Sequence, residues 1–242
     1  MKKSALYLLG AGLLAAAVSG CSEKDIMIYE DETPAVYFEM LAADGKSLRD
    51  SLVFSFPITE EPTHQLDLRV RIIGFAADRD RTINVGVNAA ESTAEAGTHY
   101  DLPGSVTIPA GAYETTIPVT LRREGLKDKE VRLVVALQPN ADFSLGFTRG
   151  HEAILRWGDK YIKPDNWDST VYKTCWGEFT EKKYGIILSV CGISELPPPS
   201  DISTLGYYNR KVREYLSENP QYEDDGKPIE IPAYSGGSGG LG

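Results

Sequence analysis

The sequence predicts a mainly β protein, in which an antiparallel two-sheet sandwich is followed by a small mixed α/β portion. About eight short segments between residues 33 and 157 alternate apolar and polar residues with a period of two, as strands with one buried face do. Turn-forming residues separate these segments, and no helical period interrupts them. The 242 residues are 42% hydrophobic, which excludes intrinsic disorder and leaves enough apolar side chains for a core.

Residues 1–20 are predicted to be an export signal rather than part of the fold. Two lysines precede an apolar stretch over residues 5–18, which is too short to span a bilayer comfortably. The stretch ends at Val18-Ser19-Gly20-Cys21, which resembles the lipobox of bacterial lipoproteins. The resemblance implies cleavage before Cys21, a diacylglycerol on its thiol and an acylated amine, with palmitate expected among the chains. The alternative is an ordinary secretory signal with a chance cysteine.

Residues 21–32 are predicted to form an acidic tether between the lipid anchor and the fold. Ser22-Glu23-Lys24-Asp25 resembles the signal that sends Bacteroidetes lipoproteins to the cell surface, and Glu30-Asp31-Glu32 continues the acidic run. Loss of the signal removes two lysines and changes the formal charge from −10 to −12. Such a chain is a poor partner for nucleic acid. We therefore expect a protein anchored by lipid in the outer membrane and facing the cell exterior.

Residues 33–160 are predicted to form the sandwich domain. The clearest strand covers residues 66–72, where leucine, valine and isoleucine alternate with charged side chains. Pro118 interrupts another predicted strand and should lie at a sheet edge or a bulge, because it has no backbone N–H to donate. The remaining strands are expected at residues 36–39, 52–58, 82–87, 106–108, 117–121, 131–137 and 153–157.

Part of this region resembles the Calx-beta sandwiches. The segments that carry the resemblance are Ser92-Thr93-Ala94, Gly97-Thr98-His99-Tyr100-Asp101 and Val106-Thr107-Ile108-Pro109-Ala110-Gly111. The resemblance implies an Ig-like, Calx-beta-like fold. Calx-beta domains that bind calcium use clustered loop carboxylates, whereas this chain places Arg122 and Arg123 at the end of the corresponding strand. We therefore expect no metal site there.

The mature chain as a whole resembles an uncharacterised family of Bacteroidetes lipoproteins whose genes lie beside SusC/SusD-type outer-membrane importers. The matching segments are Tyr37-Phe38, residues 51–56, Asp80-Arg81, residues 93–100, Pro164 with Trp167, and residues 177–184. The resemblance implies a role in nutrient capture and a SusC/SusD-type transporter complex as partner. The resemblance does not identify the nutrient.

Residues 161–235 are predicted to be a small α/β portion packed on the sandwich. The apolar run at residues 183–190 is predicted to be a strand. Asp201 is the predicted N-cap of a helix that stops at Asn219-Pro220. Residues 236–242 are rich in Gly and Ser and contain a literal Gly-x-Gly-x-x-Gly pattern. This pattern follows no strand and opens no helix, so the segment is interpreted as a flexible tail.

The sequence contains no catalytic motif, and we expect a protein that is not an enzyme and uses no cofactor. Its three histidines lack the spacing of a zinc site. Carboxylates are plentiful enough to leave a glycosidase pair open, but nothing singles two of them out. Cys175 and Cys191 are equally compatible with a disulfide in the oxidising envelope and with two small buried side chains.

All three tryptophans lie within 20 residues near the predicted junction, and they form the candidate ligand site with one tyrosine: Trp157, Tyr161, Trp167 and Trp176. Aromatic rings stack on sugars, and clefts are common at domain junctions; alternatively, the rings only pack the two parts together. The leading function is a non-enzymatic surface lipoprotein that binds glycan or peptide for an importer, or docks on it. The alternative is a structural or adhesive sandwich without a small ligand.

Overall fold

The structure, a computed structural model, describes residues 33–41 and 48–234. The predicted signal peptide, the lipidation site Cys21, the tether at residues 21–32 and the tail at residues 236–242 lie outside these ranges. The described residues belong to one compact unit that begins at Thr33. They form a mainly β sandwich followed by a small helical portion, which confirms the predicted fold class in its main part.

The sandwich consists of two five-stranded sheets within the described ranges. Its strands are β1 Ala35–Phe38, β2 Leu52–Ser55, β3 Thr63–Ile73, β4 Arg81–Val87, β5 Tyr100–Asp101, β6 Ser105–Ile108, β7 Glu114–Arg122, β8 Glu130–Gln138, β9 Ser144–Leu145 and β10 Glu152–Gly158. One sheet has the order β5-β7-β3-β1-β9, and the other has the order β2-β10-β8-β4-β6. Most neighbours are antiparallel, but β1 with β9 and β2 with β10 are parallel.

The eight predicted strands are all present, with one shortened. The strand expected at residues 52–58 ends at Ser55, and Phe56–Ile58 forms a 3₁₀ turn. Pro57 explains this end, because proline has no N–H for a sheet ladder. Pro118 pairs with Asp67 of β3 at a position that the two-residue strand β5 does not reach, so it faces an open sheet edge as predicted.

Strand β3 shows why the sandwich forms. Leu68, Val70 and Ile72 are buried between the sheets, while the charged residues that alternate with them face outward. A strand places successive side chains on opposite faces, so this pattern buries one face and leaves the other in water. The same alternation in β7 and β8 supplies the other apolar side chains of a single core.

The helical portion contains α1 Thr170–Trp176, α2 Glu181–Cys191 and α3 Ile202–Glu218. The strand predicted at residues 183–190 is wrong, because this run lies in α2. Thr180 caps the helix by accepting a hydrogen bond from the N–H of Lys183, and Gly192 ends it with φ 70°. The buried residues recur at helical spacing over a window wider than the apolar run, at Tyr184, Ile187, Leu188 and Cys191.

Helix α3 confirms its prediction. The side chain of Asp201 accepts a hydrogen bond from the N–H of Thr204 at 3.1 Å, and the helix stops before Asn219. The described C-terminal residues therefore form a helical portion rather than the predicted mixed α/β one, with no strand among the elements of that part of the structure. No helix in the described ranges is both long and apolar enough to span a bilayer.

The helical portion packs directly on the sandwich. Its own core is centred on Trp167, and Ile58 from the 3₁₀ turn after β2 packs against that core. The N–H of Ile162 donates to Oγ of Ser55 at 3.0 Å, which ties the chain leaving β10 to the end of β2. These contacts fix the two parts beside the edge strand β2, where the candidate site lies.

Candidate functional site

The predicted aromatic site is not an open surface. Trp157, Trp167 and Trp176 have no exposed area, whereas a sugar-binding platform needs a ring face that a ligand can reach. Trp157 belongs to the sandwich core, and the other two belong to the core of the helical portion. Tyr161 is half-buried and lies edge-on to Tyr184. The ligand-binding interpretation of the three tryptophans is therefore corrected to packing, while that of Tyr161 stays a prediction.

Trp167 is the centre of an aromatic cluster rather than a surface side chain. Its ring lies 5.1 Å from that of Phe179, 5.6 Å from that of Tyr184 and 6.4 Å from that of Tyr172, between centroids. Its Nε1–H donates to the carbonyl oxygen of Gly177 at 3.1 Å. Edge-to-face and tilted ring pairs of this kind stabilise a core beyond the area that they bury.

A cleft lies at the junction itself, between the segment that leads into β2 and the loops around α1 and α2. Its volume is about 240 Å³. Residues 48–55 form the sandwich wall, and residues 164–166 and 194–199 form most of the opposite wall. The polar side chains that line it include Arg49, Ser51, Asp165, Asn166, Tyr172 and Glu195.

An ion pair joins the two walls of the cleft. Nη1 of Arg49 donates to Oε2 of Glu195 at 2.8 Å, and Nη2 donates to Oε1 of the same carboxylate. This two-point arrangement matches the planar fork of a guanidinium to a carboxylate and fixes both groups. The side chains stay 22% and 39% exposed, so both groups remain within reach of a bound molecule.

A second carboxylate, that of Asp165, is also fixed in the wall of the cleft. Asp165 accepts a hydrogen bond from Oγ of Ser51 and another from Nη1 of Arg156, one on each oxygen. Nε of Arg156 also donates to Glu130 at 2.6 Å. The carboxylate of Asp165, in the segment that leads to α1, is thus held by two side chains of the sandwich and is 40% exposed.

Two tyrosines, Tyr172 and Tyr184, also line the cleft. Burial raises the pKa of Tyr172 and that of Tyr184 well above the ordinary value of a phenol. The hydroxyl of Tyr172 donates to the carbonyl oxygen of Pro197 at 2.5 Å. Both phenols therefore stay neutral at physiological pH, and neither is a nucleophile or a general base.

The two cysteines of the helical portion are packing groups. Cys175 and Cys191 are buried and free. Burial raises the pKa of Cys175 to about 12 and that of Cys191 to about 11, so both thiols stay protonated near neutral pH. A thiol in this state is a small apolar side chain rather than a nucleophile. Of the two arrangements that the sequence left open, the structure therefore has two small buried side chains and not a disulfide.

Within the residues that the structure describes, no group of three or more His, Cys, Asp or Glu side chains is placed to hold a metal ion. At the end of β7, Arg122 pairs with Asp101 at 2.5 Å and Arg123 pairs with Asp159 at 2.7 Å. The two guanidinium groups thus pair with carboxylates of neighbouring segments at this end of β7.

Sequence reasoning placed a cleft at this junction but missed most of its residues. Asp165 and Asn166 belong to the turn predicted at the boundary, so a signal for them existed. Arg49 and Glu195 are 146 positions apart, and neither belongs to a motif. Only the packing of the helical portion on β2 brings them together.

Comparisons with known proteins identify a family and a set of similar folds. The family described as "Domain of unknown function (DUF4843)" matches residues 29–193, a range that includes the sandwich, α1 and α2. No curated protein matches the chain.

Among solved structures, the apo form of the Calx CBD1 domain shares 16% identity with a TM-score of 0.38, over 52% of this chain and 96% of that one. A Bacteroides ovatus protein of unknown function shares 17% with a TM-score of 0.37, over 50% and 43%. A Bacteroides ovatus ATCC 8483 protein called a "putative carbohydrate binding protein" shares 16% with a TM-score of 0.34, over 51% and 36%. The similar part spans less than half of either Bacteroides protein.

Proposed function

Since the chain belongs to the DUF4843 family, whose function is unknown, we propose a function from its own residues. The protein is a non-enzymatic lipoprotein of the outer-membrane surface that serves a SusC/SusD-type nutrient importer. It binds one unit of a glycan in the junction cleft and presents it to the transporter complex. The observation that carries the binding role is the cleft between the sandwich and the helical portion.

The size of the cleft supports a small ligand unit. A volume of about 240 Å³ lies just below the range of roughly 300–1,000 Å³ that is usual for pockets of drug-sized molecules. A single sugar of a longer chain fits such a space, with the rest of the chain leaving through the open side. A peptide would fit by one side chain in the same way.

The chemistry of the walls favours a neutral, hydroxylated ligand. The cleft offers a fixed guanidinium, two fixed carboxylates and an amide: Arg49, Asp165, Glu195 and Asn166. The guanidinium already balances Glu195, and Arg156 balances Asp165, so an ionic ligand would have to break an existing pair. Hydroxyl groups both donate and accept, and they add hydrogen bonds to such pairs without separating the charges.

We expect Arg49→Gln to weaken glycan binding about tenfold or more while changing the free energy of unfolding by less than about 1 kcal/mol. The reason is that Arg49 lines the cleft, whereas its ion pair with Glu195 is only partly buried. Calorimetry with a panel of neutral polysaccharides, beside thermal melts, measures both quantities. Arg132→Gln is the matched control, because Arg132 pairs with Glu91 and does not line the cleft.

The alternatives give different results in the same experiment. Binding of peptides but not of polysaccharides would show that the ligand is a peptide rather than a glycan. Absence of binding to either, together with retention of extracted transporter components, leaves docking as the role. Absence of both contradicts the importer proposal and leaves a structural or adhesive sandwich.

The lipid anchor proposed at Cys21 is tested by a separate experiment. Cys21→Ala is expected to move the protein from the membrane fraction to the soluble fraction, because the acyl chains of a lipoprotein provide its membrane affinity. Protease added to intact cells is expected to digest the wild type. Cys191→Ala is the matched control, since it removes a thiol from the helical portion and should leave the fractionation unchanged. Full protection of the wild type from protease would place the protein in the periplasm.

A further inference from the structure

One end of the sandwich gathers four segments around the point where the chain enters the fold. These are Thr33–Pro34, residues 73–80 at the end of β3 and in the β3–β4 loop, the β6–β7 turn at residues 109–113 and residues 139–147 around β9. The N–H of Ser144 donates to the carbonyl of Pro34 at 2.9 Å, and that of Gly111 donates to the carbonyl of Ala77 at 2.8 Å. An ion pair of 2.6 Å between Arg79 and Asp142 joins the β3–β4 loop to the segment around β9. We call this region the entry end.

The entry end carries large apolar side chains in water. Phe75 is 81% exposed, Phe147 63%, Tyr113 51% and Ile73 38%. The ring of Phe147 lies edge-on to that of Tyr37 with centroids 5.2 Å apart. Half of the large apolar side chains that are exposed within the described ranges belong to this one end. Exposed apolar groups on neighbouring segments of this kind mark a contact surface.

We propose that the entry end rests on the surface of a lipid bilayer, with the rings of Phe75 and Phe147 among the headgroups. This proposal rests on the anchor proposed at Cys21. Thr33 follows Cys21 by 12 positions (33 − 21), and 12 residues span at most about 40 Å when fully extended. An anchored chain therefore holds the entry end close to the membrane.

The make-up of the entry end fits a membrane better than a protein partner. Specific protein interfaces take roughly 20–30 residues from each side, whereas this surface consists of a few rings on separate segments. Tyrosine is enriched at the depth of lipid headgroups because it combines an apolar body with a polar group, and phenylalanine is among the apolar residues that surface-bound segments bury at the boundary between headgroups and acyl chains. A bilayer surface needs no matching shape and accepts rings on separate loops.

The charges favour zwitterionic over anionic lipid. The β3–β4 loop carries Asp78 and Asp80 beside Arg79, and Arg79 is already paired with Asp142. The mature chain has a formal charge of −12 once two lysines are removed from the −10 of the full sequence. The contact is therefore apolar, and added salt does not weaken it.

This orientation points the candidate site away from the membrane. Strand β3 begins at Thr63, shortly after the 3₁₀ turn on which the helical portion packs, and it ends at Ile73 in the entry end. Its 11 residues correspond to about 33 Å at a rise of about 3.3 Å per residue. The helical portion thus packs near the far end of β3.

The test measures partition of the full mature chain carrying Cys21→Ala into phosphatidylcholine vesicles by sedimentation. The double variant Phe75→Ser, Phe147→Ser is expected to lower the partition coefficient about tenfold. The control Tyr207→Ser, Tyr222→Ser removes two rings of 55% and 52% exposure outside the entry end and should leave the partition unchanged. The wild-type partition should not fall as NaCl is raised.

Equal partition of the wild type and the Phe75, Phe147 double variant, including no partition of either, overturns the proposal. A dimer in solution that the double variant abolishes also overturns it, in favour of a second copy of the chain. Retention of the protein by extracted outer-membrane proteins but not by vesicles overturns it in favour of a protein partner. A failure of the anchor itself is seen separately, as wild-type protein in the soluble fraction of cells, because the vesicle measurement uses a chain without lipid.

Discussion

Replacement of Trp167 by alanine is expected to lower the free energy of unfolding by about 3–5 kcal/mol, the range for truncation of a large buried aromatic side chain. Trp167 is fully buried and touches three aromatic rings. The substitution leaves a cavity among rings that are held by backbone elements and cannot close on it. It also removes the hydrogen bond from the indole N–H to the carbonyl of Gly177, a half-buried residue, which costs further stability.

The measurement is denaturant unfolding followed by both far-UV circular dichroism and tyrosine absorbance. Tyr207→Ala is the matched control, because Tyr207 lies on α3 and is 55% exposed; its effect should stay within about 0.5 kcal/mol. An unchanged transition in Trp167→Ala would mean that the ring is not part of a packed core, and it would reopen the aromatic platform. Coincidence of the two probes would show that the helical portion and the sandwich unfold together.

The sequence predicts the strands well because strand signals are local. The alternation in Leu66, Leu68, Val70 and Ile72 follows directly from the period of two that a half-buried strand imposes. Strands β5 and β9 were not predicted, since two residues are too few to show any period. The parallel pairing of β2 with β10 joins residues about a hundred positions apart, and no local pattern records it.

Helix α2 shows where an apolar run misleads. Ile186, Ile187 and Leu188 are consecutive, and such a run is compatible with a buried strand and with a buried helix. Residues outside the run distinguish the helix from a strand: Thr180 caps it, and Cys191 continues its buried face. Tertiary packing on Tyr161, whose ring leaves no space for a Cβ at Gly185, then favours the helix.

The sequence predicts where the candidate site lies but not which residues form it. The density of tryptophan near the junction correctly indicated that two parts meet there, yet composition alone does not tell whether a ring is buried or exposed. Arg49 and Glu195 carry no local signal, because each is an ordinary surface residue until the helical portion packs against β2. Long-range ion pairs of this kind become visible only in the folded chain.

Substitution of Val70 by aspartate is expected to be the most damaging change in the sandwich. Val70 has no exposed area and lies in the middle sheet position between Phe38 of β1 and Thr115 of β7. Arg69 and Arg71 flank it in sequence but point to the opposite face of the sheet, so neither can pair with the new carboxylate. We expect a loss of several kcal/mol at pH 7, on the order of 4.

The loss in Val70→Asp should depend on pH in a defined direction. Burial without a cationic partner raises the pKa of a carboxyl group above its unfolded value. The folded state then binds more protons than the unfolded state between the two pKa values, so stability falls as pH rises through that window and is partly regained towards acid. Unfolding measured at pH 7 and near pH 4 should therefore give a smaller loss of stability, relative to the wild type, at the acidic pH.

Thr116→Asp is the matched control, because it adds the same charge on the exposed face opposite Arg69. Its loss of stability should stay within about 0.5 kcal/mol at both pH values. Equal losses for the two aspartate variants would contradict the inward orientation of Val70.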